Sequence, residues 1–234
     1  MFKNFISGLS LLKRKHLSKK VSYSFGGVDL LVDYIFKDKK NGTYMDIGAQ
    51  NPYSNNNTYL LYKRGWKGTN IDLDLENIKL FDIARNKDRN ICTAVSSKIA
   101  ELDLYFFHSK SPINTVEKIV ADNNKAKFTS VKKIKTTTLN FIFESNKIEH
   151  VNYLNIDVEG HELDVLKGFD LIKYKPDVMS IEYLDLEMKK LEVKNNKLEN
   201  ILDSDLYAHM VKNNYSLVNW NHADLIFVNN NFKD

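Results

Sequence analysis

The sequence predicts an α/β fold: a doubly wound, mostly parallel sheet of seven strands, helices on both faces, and a C-terminal antiparallel hairpin at one edge. Three observations predict it. From residue 43 onward short apolar runs alternate with segments of helical period, two of those runs end in an acid followed by a glycine turn ("MDIG", "IDVEG"), and the last two apolar runs are separated by only a few polar residues. At 234 residues and 43% hydrophobic, one sizeable core and one domain over 1–234 are expected.

The elements follow in order. Residues 1–25 read as a basic and apolar helix or arm, with Phe2, Phe5, Ile6, Leu9 and Leu12 near one helical face beside Lys13, Arg14, Lys15, Lys19 and Lys20. Packing on its own domain accounts for this periodicity; a peripheral membrane contact through residues 1–20 is the alternative. The apolar stretch precedes most of the basic residues, the wrong order for a signal peptide. No run reaches the roughly 18–20 apolar residues of a membrane span.

Strand 43–48, helix 57–65 ending at Gly65, strand 68–74, helix 75–87 and strand 90–96 make a β-α-β-α-β series, whose short connections imply right-handed crossovers in a parallel sheet. Next come a half-exposed strand at 101–109, a short helix at 113–124, and a strand at 131–139 that enters a helix through Thr137 or Thr138. The alternation then resumes with strand 151–160, helix 161–169 with Gly168 near its end, and strand 176–184. Residues 185–203 read as a charged, exposed insertion, 204–214 as a helix capped by Ser204, and "YSLVNW" with "DLIFVNN" as the hairpin.

Composition excludes several classes. With 34 basic against 30 acidic residues, a net +4, charge is too evenly mixed for a nucleic-acid partner. The single cysteine, Cys92 in "NICTAV", reads as core and rules out an internal disulfide or a cysteine zinc site; six histidines contain no H-x-x-x-H pair. A cytoplasmic location is the resulting expectation.

In an open α/β sheet, ligands bind beyond the carboxyl ends of the strands, where strand order reverses. The residues to weigh are therefore Asp46, Asp72, Ser96, Asp157 and Glu182. The loop "GAQNPY" after Asp46 breaks the three-glycine pattern that lets a pyrophosphate approach backbone, and Asp46 itself repels phosphate but suits an ammonium. Asp72 can accept hydrogen bonds from ribose hydroxyls. Together the two acids describe S-adenosyl-L-methionine better than NAD.

The run "YMDIGAQNPYSNNNTYLLYKRGWKGTNIDLD" and the later "YLNIDVEGHELDVLKGFD" resemble the two signatures of the FkbM-type methyltransferases, with "SPINTV" between them similar to a further segment. The likeness spans about residues 40 to 185 and, more weakly, the hairpin. It implies a fold similar to class I S-adenosylmethionine-dependent methyltransferases and O-methylation of a hydroxyl on a sugar, glycan precursor or secondary metabolite. By position, Asp46, Gly48 and Ala49 would form the methionine-end loop, Asn57 and Thr58 would close it, Asp72 would hold the ribose and Ser96 would approach the adenine.

Methyl transfer to an alcohol needs a base near the acceptor. Asp157, Glu159, His161 and Glu182 are the candidates, at the fourth and fifth strand ends. Asp157 with Glu182 could instead hold Mg²⁺, but no dense ligand cluster is legible and no metal is expected. The expected partner is a small-molecule or glycan acceptor. Two readings from other classes stand beside this one: an NAD-dependent nucleotide-sugar oxidoreductase and a non-catalytic Rossmann-like interaction domain.

Overall fold

Strand β1 (Thr43–Ile47) is buried from Tyr44 to Ile47, as a strand covered on both faces must be. Its alternation sends Met45 and Ile47 into one core layer and Tyr44 into the other. The computed structural model describes residues 20–184 and 197–232. Around β1 lie β2 (Lys67–Asp72), β3 (Arg89–Cys92), β7 (Tyr153–Ile156), β8 (Val178–Glu182), β9 (Tyr215–Asn221) and β10 (Asp224–Asn229), in the sheet order β3-β2-β1-β7-β8-β10-β9. All neighbours are parallel except β10, which runs antiparallel to both β8 and β9. The seven-stranded sheet and its hairpin match the expected fold class.

One core layer packs Val28 and Val32 of α1 (Val28–Ile35) and Leu61 of α2 (Tyr59–Lys63) on the sheet, with Phe36 and Trp66. The other packs α5 (Leu139–Ser145), α6 (Glu162–Lys167), α7 (Leu171–Tyr174), α8 (Leu198–Leu202) and α9 (Asp205–Lys212) on the opposite face. Helix α3 (Leu75–Ala84) follows β2, with Asp74 accepting from Glu76 N at its start. Thr138 and Ser204 cap α5 and α9 as their positions suggest.

Several elements depart from the sequence reading. "NICTAVS" is not one strand: after β3, Thr93 N bonds Asp72 O, and β4 (Ala94–Val95) joins a separate three-stranded sheet with β6 (Ser130–Thr137) and β5 (Glu101–Phe106). Cys92, expected in the core, is exposed, because β3 is the outer strand of the main sheet. Helix 113–124 shrinks to α4 (Lys118–Asn123), since Asn114 and Thr115 spend their side chains on backbone groups elsewhere. Within the 185–203 insertion, residues 185–196 lie outside the described residues, but α8 is seated against the core through Ile201, which is 0% exposed. The expected N-terminal helix or arm lies outside the described residues over 1–19, and residues 20–25 are irregular. Among the described residues no helix is long and apolar enough to cross a membrane.

Candidate active site

The parallel strands align so that Ile71, Ile47, Ile156 and Ile181 form one row across β2, β1, β7 and β8. One residue further along the chain stand Asp72, Gly48, Asp157 and Glu182, and Asp224 of β10 pairs with Glu182. Chain order reverses between β1 and β7, so this row of acids surrounds the switch point of the sheet.

A cleft of about 660 Å³, open to solvent, lies against that row. Gly48, Gln50, Asp72, Asp157, Glu159 and His161 line it, with apolar walls from Ile47, Ile71, Leu73, Val95 and Val158. Among the described residues that line it, none is a lysine or arginine. The electrostatics therefore suit a neutral or cationic ligand and oppose a pyrophosphate.

Gly48 makes the floor. Its φ is +79°, and a Cβ there would sit 1.7 Å from the Asp157 carbonyl oxygen, so only glycine lets the β1 and β7 loops meet. Gly48 N and Ala49 N both donate to Ile71 O, and Gln50 N donates to the Asp72 carboxylate at 2.9 Å. The loop is thereby pinned to the end of β2.

Asp46 does not line the cleft. It is 1% exposed, and strand alternation turns it away from Ile47 into the layer beneath α2. There its carboxylate accepts from Asn56 Nδ2 at 3.1 Å, Thr58 Oγ1 at 2.8 Å and Asn155 Nδ2 at 2.8 Å. Asn57 donates to Asn155 Oδ1 and to Asp224 Oδ1, joining the same buried network. Asp46, Ala49, Asn57 and Thr58 thus support the loop from behind, while Gly48 and Asp72 face the cleft.

Sequence reading missed the residue that holds this network. Arg85 is 0% exposed; its guanidinium donates to Pro52 O through Nε at 3.0 Å and Nη2 at 2.6 Å, to Asn56 Oδ1 at 2.7 Å and to Thr58 Oγ1 at 2.8 Å. Rings of Tyr59, Tyr62 and Phe81 lie within 5.1–5.5 Å of it. The only local signal was the cluster of proline and asparagines that needed a donor.

At the other end of the cleft, burial raises Asp157, Glu159 and Glu182. Asp157 is pushed up to about 6, chiefly by desolvation and further by Asp46 and Asp72, against a hydrogen bond from Glu182 that lowers it. Glu182 is raised well above its ordinary value by burial and by the Asp157 charge. Glu159 is pushed up to about 8 by burial and by Asp157. Carboxylate oxygens of Asp157, Glu159 and Glu182 lie within 4.8 Å of one another, closer together than the sequence suggests and near enough to hold a cation.

Ser96 and His161 meet at 2.9 Å, and His161 Nδ1 faces Glu117 Oε1 at 2.6 Å. Ser96 is not among the lining residues but stands directly behind His161. Glu117 belongs to a segment, 107–117, that runs over the cleft and is held on both sides: Lys110 N and Thr115 Oγ1 donate to Asp74 Oδ2 and Glu159 O, at 2.6 and 2.8 Å.

A family model described as the methyltransferase FkbM domain matches residues 46–215. The chain belongs to the FkbM methyltransferase family. No curated protein matches this methyltransferase. Among solved structures, it is similar to a TehB-like SAM-dependent methyltransferase from Corynebacterium glutamicum, at 10% identity and TM-score 0.43, over 97% of this chain and 97% of that one. It is also similar to a putative S-adenosyl-L-methionine-dependent methyltransferase from Methanococcus maripaludis, at 10% identity and TM-score 0.44, over 93% of this chain and 98% of that one.

Membership implies S-adenosylmethionine as the methyl donor, and the cleft can be tested for it. Two buried polar atoms on its lining residues have no hydrogen-bond partner among the described residues: Asn77 Oδ1 and Ser111 Oγ. Unpaired buried groups of this kind are costly unless a ligand meets them. With apolar walls for a purine, an acid at the end of β2 and no basic residue among the described lining residues, the cleft fits this donor. The oxidoreductase and non-catalytic readings give way to the methyltransferase family.

Proposed function

We propose that this methyltransferase moves the methyl group of S-adenosylmethionine to a hydroxyl of a sugar, glycan precursor or secondary metabolite, with Asp157 as the base. The observation that carries it is the Asp157 and Glu182 pair at adjacent strand ends, with carboxylate oxygens within 4.8 Å of each other and Asp157 on the cleft wall. S-adenosylmethionine supplies, when bound, an electrophilic methyl on a sulfonium. Asp157 takes the hydroxyl proton of the acceptor as the oxygen becomes a nucleophile, and Glu182 keeps the carboxylate oriented through their shared hydrogen bond. Glu159 and His161 frame the acceptor side. Asp46, Ala49, Asn57 and Thr58 hold the loop that bears Gly48, and Asp72 receives the ribose. An acid-lined pocket favours a neutral polyol over a phosphorylated acceptor.

The test is calorimetric and kinetic. Wild-type protein should bind S-adenosylhomocysteine, and Asp157→Asn should bind it within about threefold while turnover on an acceptor found by mass spectrometry of candidate glycans falls roughly 100-fold or more. Turnover that survives in Asp157→Asn removes Asp157 as the base. Protein that binds no S-adenosylhomocysteine removes the donor assignment.

A further inference from the structure

Asp72 has less free capacity than a lone strand-end acid. Its Oδ1 already accepts from Asp74 N at 2.7 Å and Asn77 Nδ2 at 3.2 Å, and its Oδ2 from Gln50 N at 2.9 Å. A carboxylate offers about four acceptor sites, so one remains, on Oδ2. A ribose presents two hydroxyls on adjacent carbons and needs two acceptors.

The second acceptor stands beside the first. Asn77 is 3% exposed and lines the same cleft. Because a carboxylate receiving three N–H donors only accepts, the Asn77 amide must turn its nitrogen to Asp72 and its carbonyl away. That carbonyl oxygen, Oδ1, is buried and has no partner among the described residues. Resting on the donor reading above, we propose that Asn77 Oδ1 accepts one ribose hydroxyl of the cofactor and Asp72 Oδ2 the other, so that the diol is read by an Asp and Asn pair. Asn77 also holds Asp72 in place through its NH₂ group. Neither role is legible in "LENIKL", where Asn77 looks like an ordinary helix position.

The discriminating experiment measures affinities of wild-type protein and Asn77→Leu for S-adenosylhomocysteine and for its 2′-deoxy and 3′-deoxy forms. Wild type should lose roughly tenfold or more for each deoxy form, because each removes a hydroxyl with its own acceptor. Asn77→Leu should weaken the parent ligand roughly 10- to 100-fold yet bind one deoxy form within about twofold of wild type. Equal losses on all three ligands would make Asn77 merely structural and overturn the inference, as would wild-type affinity in Asn77→Leu. Should that variant fail to fold, the wild-type series decides: indifference to either hydroxyl overturns the pair. Wild-type protein that binds none of the three refutes the donor reading, and this inference with it.

Discussion

At the scale of single residues, Arg85 has the most to say about how the site is built. A buried guanidinium without a direct carboxylate partner among the described residues persists because Pro52 O, Asn56 Oδ1 and Thr58 Oγ1 take its protons and three rings enclose it. Asn56 and Thr58 pass its influence to Asp46, since each bonds both partners. Arg85→Met should therefore lower unfolding free energy by about 3 kcal/mol or more, read from the urea midpoint, and loosen the Gly48 loop. A loss under about 1 kcal/mol would mean that the network is carried by Asp46 alone. In "DIARNK" this arginine follows the last turn of a helix, and nothing in that segment announces that the turn before α2 folds over it.

At the scale of elements, the segment over the cleft departs most from a periodicity reading. Its residues 113–117 have apolar spacing that suggests a helix, yet Thr115 Oγ1 donates to Glu159 O and accepts from Glu117 N. Side chains that satisfy distant backbone compete with helix formation, and here they win. The segment is latched by Asp74, Glu159 and His161, which all line the cleft. In Thr115→Val and in Glu117→Gln, amide hydrogen exchange over residues 111–117 should quicken roughly tenfold while the β1 and β7 amides stay protected. Unchanged exchange in both variants would show that β5 alone holds the segment. The strands bordering the site behave otherwise: their position follows from apolar runs of four or five residues, which the sequence displays openly.

For the whole molecule, the acids at the sheet edge set a dependence of stability on pH. Burial pushes Asp157 up to about 6, Glu162 and Asp224 each to about 7, and Glu159 to about 8, all above their ordinary values of 3.8 or 4.5. His150 is raised too, through its hydrogen bond with Asp177. The folded chain therefore holds more protons than the unfolded one between about pH 4 and 8, and the stability they lend is lost as pH rises through the folded values. The urea midpoint should fall between about pH 5.5 and 8.5, corresponding to about 2 kcal/mol or more. A midpoint that rises over that interval would contradict the raised values.

The sequence by itself determined the order along the chain of the seven strands of the main sheet, the family, and the fact that acids stand at the carboxyl ends of its strands. These follow from local period and from motifs that a single chain segment carries. Which of those acids meet the cleft was decided only by the tertiary structure. Asp72 ends its strand in "IDLD", whereas Asp46 in "MDIG" stands one residue inside β1, in register with Asn70; the packing of α2 with Arg85 buries Asp46 there, while Asp72, further along on the same face, opens into the cleft. The joining of His161 to Glu117 and the approach of Asp157 to Glu182 likewise need chain segments to meet in space, which no spacing within one segment can specify.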